Sequence, residues 1–389
     1  MRYNPFNPQA PARPQIFVGR EPEIIEFEKN LSQTIHGSPM NMSINGNRGM
    51  GKTSLLVKFE EIAKKEHCLV LRISNYEGNV SNVIELADYI TVNLKREILV
   101  TKTFGPEYEK LKQYAASITP TIGFGEVSLK VEREQIVQDM FRIRLLKLWD
   151  DMKDHFKAAV ILIDEAESLE RIEGAIIFLR EVFQRISGES NYTVVLAGKL
   201  NFPEKMSESF SPLNRFFPCS TLVPFNQVEV ETYITNQLSQ VGVKIEKSAL
   251  EHISSFTEGH PYVLVAYCYM VFDSLPDEET LITKAQLDMI EIKIRARLAQ
   301  DFFNPMYHPL TPRAKQVLQT IVHHTTKLDF MFSDAVKWNK SKNNKISPYI
   351  NELMRKGVIY KLERGRYQFF HGLFVEYVKG LTHPLAEDF

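Results

Sequence analysis

Apolar residues recur at helical spacing through residues 21–35, where Ile24, Ile25, Phe27 and Leu31 predict a helix that Gly37, Ser38 and Pro39 stop. The run 40–44 has the length of a strand. Helical spacing returns over 52–65 with Leu55, Leu56, Phe59, Ile62 and Ala63, and 69–73 is another short apolar strand. Helical patterns follow over 83–99 and 106–117. Between 118 and 131 the pattern turns to alternation around Gly123 and Gly125, which predicts an inserted β-hairpin. A long helix is expected over 134–156, a continuous apolar strand over 158–163, a helix over 174–187 and a strand over 193–197. Strands that are apolar throughout and alternate with helices predict a parallel sheet covered on both faces. The first large unit is therefore a doubly wound α/β domain running to about Val223.

Beyond it the pattern becomes all-helical. Asn226 and Glu229 have the spacing of a capping box, followed by Val230, Ile234, Leu238 and Val241, with Gly242 as the stop. Further helices fit 248–256, 261–273 and 283–300, a small helical subdomain. The proline-containing stretch 302–312 reads as a linker. Thr311 and Pro312 cap a helix to about His323, a second helix fits 333–338, and Ser347 and Pro348 open a third that presents Ile350, Leu353 and Met354. Residues 358–362 and 367–370 flank a Glu-Arg-Gly-Arg turn and predict a hairpin. Three helices and a hairpin make a winged helix-turn-helix. The expected division is an N-terminal arm at 1–15, an α/β domain at 16–224 carrying the hairpin near 118–131, a helical lid at 225–303 and a winged helix at 304–389. The Pro- and Asn-rich arm reads as loose, and no internal repeat is present.

Composition narrows the class. A chain of 389 residues that is 44% hydrophobic and 24% charged is globular, not disordered or collagenous. Its net charge of -1 excludes a polycation, but 13 basic and 7 acidic residues fall within 307–389, so the C-terminal part is the basic one. No apolar run reaches the roughly 20 residues of a membrane span, and the N-terminus lacks the apolar core of a secretory signal. Three scattered cysteines argue against a disulfide framework or a zinc site, and for the reducing cytoplasm.

The chemistry is concentrated in Gly46-Asn47-Arg48-Gly49-Met50-Gly51-Lys52-Thr53, a P-loop between an apolar strand and an amphipathic helix that Ser54 continues. Glycines let successive N–H groups face phosphate oxygens, and the helix N-terminus adds its dipole. Lys52 is expected to bridge the β- and γ-phosphates and Thr53 to hold Mg²⁺. At the end of the 158–163 strand, Asp164 suits the Mg²⁺ water shell and Glu165 suits polarising the attacking water. The cofactors expected are therefore ATP and Mg²⁺.

With Phe17-Val18-Gly19-Arg20-Glu21, the P-loop, the Asp164-Glu165 strand and the terminal winged helix, nearly the whole chain resembles the archaeal-type P-loop ATPases. These are related to the STAND NTPases and the archaeal origin-recognition initiators within the AAA+-like class. The resemblance implies that Val18, Gly19 and Arg20 lie beside the adenine. It implies that Pro261, in Gly259-His260-Pro261, approaches the nucleotide from the lid, and that Arg215 is an arginine finger acting across a subunit boundary. The absence of a lid arginine favours the STAND-like side. A polar sensor is expected after the 193–197 strand, where Lys199 and Asn201 are both candidates and Gly198 stands where Ser, Thr or Asn is commoner.

Lys337, Lys340, Lys342, Lys345, Arg355, Lys356, Lys361, Arg364 and Arg366 crowd the winged helix, with Lys340, Lys342 and Lys345 before the third helix and Arg364 and Arg366 at the wing tip. Two readings follow. One is an ATP-hydrolysing switch, slow or partner-stimulated, answering to a protein effector or to its own oligomer. The other is an initiator or loader whose ATP state controls its grip on double-stranded DNA. No membrane partner is expected.

Overall fold

The computed structural model describes residues 2–74, 80–100 and 130–381. The hairpin expected near 118–131 and the helix expected over 106–117 lie outside the described residues.

Five parallel strands form the central sheet: β1 (Met42–Asn45), β2 (Leu69–Ile73), β3 (Ala159–Ile163), β4 (Tyr192–Gly198) and β5 (Cys219–Thr221), in the spatial order β2-β3-β4-β1-β5. Successive residues of β3 feed opposite faces, as strand geometry requires. Val160 and Leu162 join a cluster under α1 (Glu21–Ile35) and α2 (Lys52–Lys65). Ala159, Ile161 and Ile163 join a second cluster with α3 (Val83–Val100), α4 (Lys130–Met152) and α5 (Ala175–Ile186). Both faces are covered, so β3 is apolar at every position, while the polar residues of β1, Ser43 and Asn45, donate to backbone carbonyls. The order has one consequence for the site. β4 lies between β1 and β3, pairing Ala159 with Tyr192 on one side and Asn45 with Gly198 on the other. The carboxyl end of β4 is thus wedged between the P-loop and Asp164.

Two short helices, α6 (Phe202–Ser209) and α7 (Leu213–Phe216), lead into β5. The lid follows as α8 (Gln227–Ser239), α9 (Lys247–Thr257), α10 (Pro261–Asp273) and α11 (Lys284–Leu298). The capping box at its start is formed: Glu229 N–H donates to Asn226 Oδ1 at 3.0 Å and Asn226 N–H to Glu229 Oε2 at 2.7 Å. The lid is not entirely helical. Lys244–Ile245 (β6) pairs in parallel with Leu281–Ile282 (β7), because burying Val243 and Ile282 lines up the two backbones.

The stretch that reads as a linker is helical. A wide helical turn, Ala299–Phe303, continues into α12 (Asn304–Tyr307), and Phe302, Phe303, Met306 and Leu310 are all buried. Its prolines sit where the wide turn passes into α12 (Pro305) and beyond a helix end (Pro309). The apolar side chains between them seal the lid to the C-terminal module, and the two share one hydrophobic cluster.

That module runs α13 (Pro312–His324), β8 (Asp329–Met331), α14 (Phe332–Trp338), α15 (Asn343–Arg355), β9 (Ile359–Glu363), β10 (Arg366–Phe369) and α16 (Gly372–Leu381). Its antiparallel sheet has the order β8-β10-β9, the element order of a winged helix. α15 begins at Asn343, four residues before the expected Ser347, so Lys345 lies in the helix and Pro348 inside it. Burial of Ile346 together with Ile350 and Leu353 extends the apolar face backward and outweighs the lost backbone bond.

The N-terminal arm is not loose. Phe6 is buried in the lid against Tyr233 and Phe272. Arg2 N–H donates to Asp277 Oδ1 at 2.9 Å, and Ala12 N–H donates to Ser54 Oγ at 3.0 Å. Asn and Pro suit the extended path, and the single Phe6 supplies the anchor that composition does not announce. Cys68, Cys219 and Cys268 are unpaired, and no described helix is long and apolar enough to cross a membrane.

Candidate functional site

The P-loop leaves β1 at Asn45 and enters α2 at Lys52. Gly49 adopts φ +79°, where an L side chain is strained, and a Cβ there would meet His260 Cε1 at 2.7 Å and Tyr262 Cβ at 2.8 Å. The glycine thus serves the loop's bend and the approach of the lid together. Lys52 folds back over the loop, donating from Nζ to the Gly46 carbonyl at 2.8 Å and the Asn47 carbonyl at 3.0 Å. Burial holds its ammonium below the ordinary lysine value, while the carboxylates of Glu167, Asp164 and Glu165 favour the charge.

The topology brings the second half of the site to the first. Thr53 Oγ1 donates to Asp164 Oδ2 at 2.6 Å across 111 positions of sequence. Asp164 is buried, and its other oxygen accepts the Glu165 N–H at 2.9 Å. Glu165 turns into the left-handed region at φ +50°, which leaves its side chain exposed. A hydroxyl and a carboxylate in contact, beside a lysine at a helix N-terminus, form a donor set for a magnesium-bound phosphate chain.

Arg20 is buried and braces rather than reaches outward. It donates to the Val223 carbonyl at 2.7 Å and the Met50 carbonyl at 3.1 Å, and lies 4.9 Å over the Phe225 ring. Gly19 runs so close to the lid that a Cβ would meet Glu229 Oε1 at 2.8 Å. Val18 packs on the lid cluster. Val18, Gly19 and Arg20 therefore line the junction between sheet domain and lid, beside the P-loop. Pro261 is the buried first residue of α10. Arg215 is exposed on α7, away from the Thr53–Asp164 contact in sequence and element, and enters no ion pair among the described residues.

Three residues of the site escape sequence reasoning. His260 is buried: its Nε2 donates to the Arg48 carbonyl at 3.1 Å while Nδ1 accepts the Val263 N–H as the cap of α10. His371, at the end of the wing, lies 5.7 Å from His260 ring to ring and donates from Nε2 to the Thr257 carbonyl at 2.9 Å. Glu167 reaches Lys199 at the end of β4. Lone His and Glu residues carry no periodic signal, so only the Gly-His-Pro turn marked any of them in advance. In the lid, His252, Asp288 and Glu291 bring ligand-type atoms within 4.8 Å of one another, although the sequence shows no metal spacing. Lys284 and Arg295 already neutralise the two carboxylates.

The C-terminal cations divide. Lys337, Lys340, Lys342, Lys345, Arg355, Lys356, Lys361 and Arg364 are exposed. Arg366 does not point free from the wing tip. It donates to Asp329 Oδ2 from Nε and lies against Glu363, because the hairpin register sets it between two acids. Lys361 faces Glu204 of α6 at 3.9 Å, so the wing lies against the sheet domain.

A domain of unknown function (DUF8462) matches residues 300–378, the helical turn and the C-terminal module. A protein of Methanocaldococcus jannaschii described as an HTH-type transcriptional regulator is 22% identical over 385 residues, which cover 94% of this chain and 89% of its own. Among solved structures, a Walker-type ATPase of Pyrococcus abyssi matches with a TM-score of 0.61 at 15% identity, over 96% of this chain and 99% of that one. The ORC2 protein of Aeropyrum pernix, solved as ADPNP–ADP complexes, matches with a TM-score of 0.61 at 14% identity, over 93% of each chain. The chain has the fold of an archaeal-type P-loop ATPase related to the origin-recognition proteins.

Proposed function

We propose that the chain is a Mg²⁺-dependent ATP-binding and ATP-hydrolysing switch of the STAND/AAA+-like class, built from an arm (1–15), a sheet domain (16–224), a lid (225–303) and a winged helix (304–389). The observation that carries the reading is the 2.6 Å hydrogen bond from Thr53 to Asp164 beside a lysine folded onto its own loop. On binding the triphosphate, Lys52 leaves the Gly46 and Asn47 carbonyls and pairs with the β- and γ-phosphates, while the N–H groups of the loop from Gly46 to Ser54 face the phosphate oxygens. Thr53 and Asp164 hold Mg²⁺, which supplies charge neutralisation at the phosphates. Glu165, exposed at the end of β3, takes the proton of the attacking water. Val18, Gly19, Arg20 and Pro261 line the nucleoside end. Arg215, exposed and in no ion pair among the described residues, suits a finger offered to a neighbouring copy. The ADPNP and ADP complexes of the Aeropyrum relative and the name of the Pyrococcus one agree with this reading.

A second reading, control of a grip on duplex DNA, is favoured by the exposed cations around α15 and by the name of the Methanocaldococcus relative. One experiment separates the two: steady-state ATP hydrolysis with and without duplex DNA at low salt, with Glu165→Gln as blank. Glu165-dependent turnover that ignores DNA supports a switch triggered by a protein effector. Strong stimulation by DNA supports the initiator or loader. Turnover equal in the blank removes both.

A further inference from the structure

Three helices of the lid bring metal-ligating side chains together. Asp288 and Glu291 are three residues apart on α11 and so share a face, and His252 of α9 meets them there. His252 Nε2 lies 2.9 Å from Glu291 Oε2, and the ligand-type atoms of the three residues lie within 4.8 Å of one another. Around a four-coordinate zinc ion such atoms stand about 3.3 Å apart. A small swing of Asp288, at the exposed rim, closes the set.

The third helix supplies an observation that the ion pairs leave unexplained. Tyr267 of α10 is fully buried, yet its hydroxyl has no hydrogen-bond partner among the described residues. A buried O–H without a partner is costly and marks a place where a water or an ion belongs. The hydroxyl lies within the fields of both carboxylates: burial pushes the phenol up, and the charge of Glu291, then that of Asp288, act the same way. The Tyr267 ring stands edge-on to that of His252, with 6.4 Å between centroids.

The present partners of the carboxylates leave room for a cation. Arg295 takes Glu291 by Oε1, from Nε at 3.1 Å and Nη2 at 2.9 Å, while Oε2 is the oxygen turned to His252. Arg295 therefore holds the carboxylate in place without occupying the ligating oxygen, as outer partners do around bound metals. Lys284 holds Asp288 by Oδ1, at the surface where the Asp288 side chain is 57% exposed, a pair that costs little to break.

We infer that His252, Asp288 and Glu291 form a site for a divalent transition ion of the zinc type, with Tyr267 donating its O–H to a water that completes the coordination. One imidazole nitrogen with two carboxylate oxygens suits such an ion better than Mg²⁺. The ion ties α9 to α11, and through the contact of Arg295 with Glu376 it steadies α16 of the C-terminal module on the lid. The site does not depend on the nucleotide reading above.

The test is calorimetric titration of the metal-stripped, nucleotide-free protein with Zn²⁺ alone and with Mg²⁺ alone, beside thermal melting. One Zn²⁺ per chain is expected, bound at least about tenfold more tightly than Mg²⁺, with a rise in melting temperature. Asp288→Asn, a change at the exposed rim that leaves the fold intact, and His252→Gln should each weaken Zn²⁺ by at least about tenfold. Tyr267→Phe should weaken it severalfold while the metal-free protein stays as stable or gains stability, because the orphaned hydroxyl is gone. Asp164→Asn should bind Zn²⁺ as the parent does, which separates this site from the P-loop. Co²⁺ in place of Zn²⁺ should show no thiolate charge-transfer band, which excludes the exposed Cys219 as the ligand. The inference is overturned if the parent protein binds no Zn²⁺, if Asp288→Asn and His252→Gln bind it unchanged, or if the affinity falls with Asp164→Asn instead.

Discussion

His260 of the lid donates from Nε2 to the carbonyl of Arg48 in the P-loop at 3.1 Å. One contact between the lid and the P-loop is thus a neutral imidazole. Tyr262 N–H adds a second contact, to the Gly49 carbonyl at 3.1 Å, and its ring stacks on Phe302. His371 and Glu258 continue the chain into the C-terminal module, since His371 bonds Thr257 and the Gly372 N–H donates to Glu258. These contacts join the loop, the lid and the C-terminal module in one continuous set of hydrogen bonds.

This contact is sensitive to acid. Burial pushes His260 down to about 3 from an ordinary 6.5, and the His371 and Lys52 charges facing it push the same way; the Arg48 carbonyl opposes them. Burial also lowers His371, against the carboxylates of Glu258 and Glu376. A depressed histidine favours the unfolded chain once that chain takes up the proton. Its contribution is complete above about pH 6.5 and shrinks toward pH 3, by at most about 1.4 kcal/mol per pH unit. Protonation would also set a second N–H against that of Val263. Urea midpoints are expected to fall between pH 6.5 and 4, and less steeply in His260→Asn, which can still cap α10. Identical slopes in the two proteins would remove His260 as the cause.

Lys52→Ala is expected to abolish ATP and ADP binding with little loss of stability. Its ammonium is buried and bonds two loop carbonyls, so the substitution removes a desolvated charge along with two hydrogen bonds. Calorimetric titration checks the first half and thermal melting the second.

Glu165→Gln is expected to bind ATP with near-normal affinity and to lose turnover by at least about 100-fold, the range for loss of a general base. The side chain is exposed, so folding is unaffected. Single-turnover hydrolysis at the parent rate would move the base to another residue.

Phe6→Ala is expected to cost about 3 kcal/mol, the low end for a buried phenylalanine. It also frees the arm from Tyr233 and Phe272 while Ala12 keeps its bond to Ser54. Because the arm ties lid to α2, nucleotide release should quicken along with the fall in melting temperature, which stopped-flow displacement measures.

If duplex DNA binds, Lys340, Lys342 and Lys345 are the contacts to remove. The triple alanine variant should weaken binding uniformly across sequences and reduce the salt slope by about 3. Arg366→Ala should leave the slope unchanged, since that guanidinium is committed to Asp329 and Glu363. A salt titration of fluorescence anisotropy reads both.

Much of this was legible along the chain. The strand before Asp164 is apolar at every position, and the Asn226–Glu229 cap is a contact over three residues. The misreadings have a common cause. Prolines at 305, 309 and 312 resemble a linker, yet Phe302, Phe303 and Met306 are buried by partners far away in sequence. The start of α15 and the anchoring of Phe6 fail for the same reason, because a distant surface supplies the energy that local pattern lacks.

Sequence by itself determined most elements of the sheet domain and marked the loop Gly46–Thr53 and the acids Asp164 and Glu165 as candidates, because side-chain periodicity and glycine spacing are properties of adjacent residues. Only the tertiary structure decided which strand stands between them, that Lys199 emerges there beside Glu167, and that His260 closes on Arg48. Those relationships join residues that chain order leaves far apart, and strand order and lid docking are set by packing over the whole molecule.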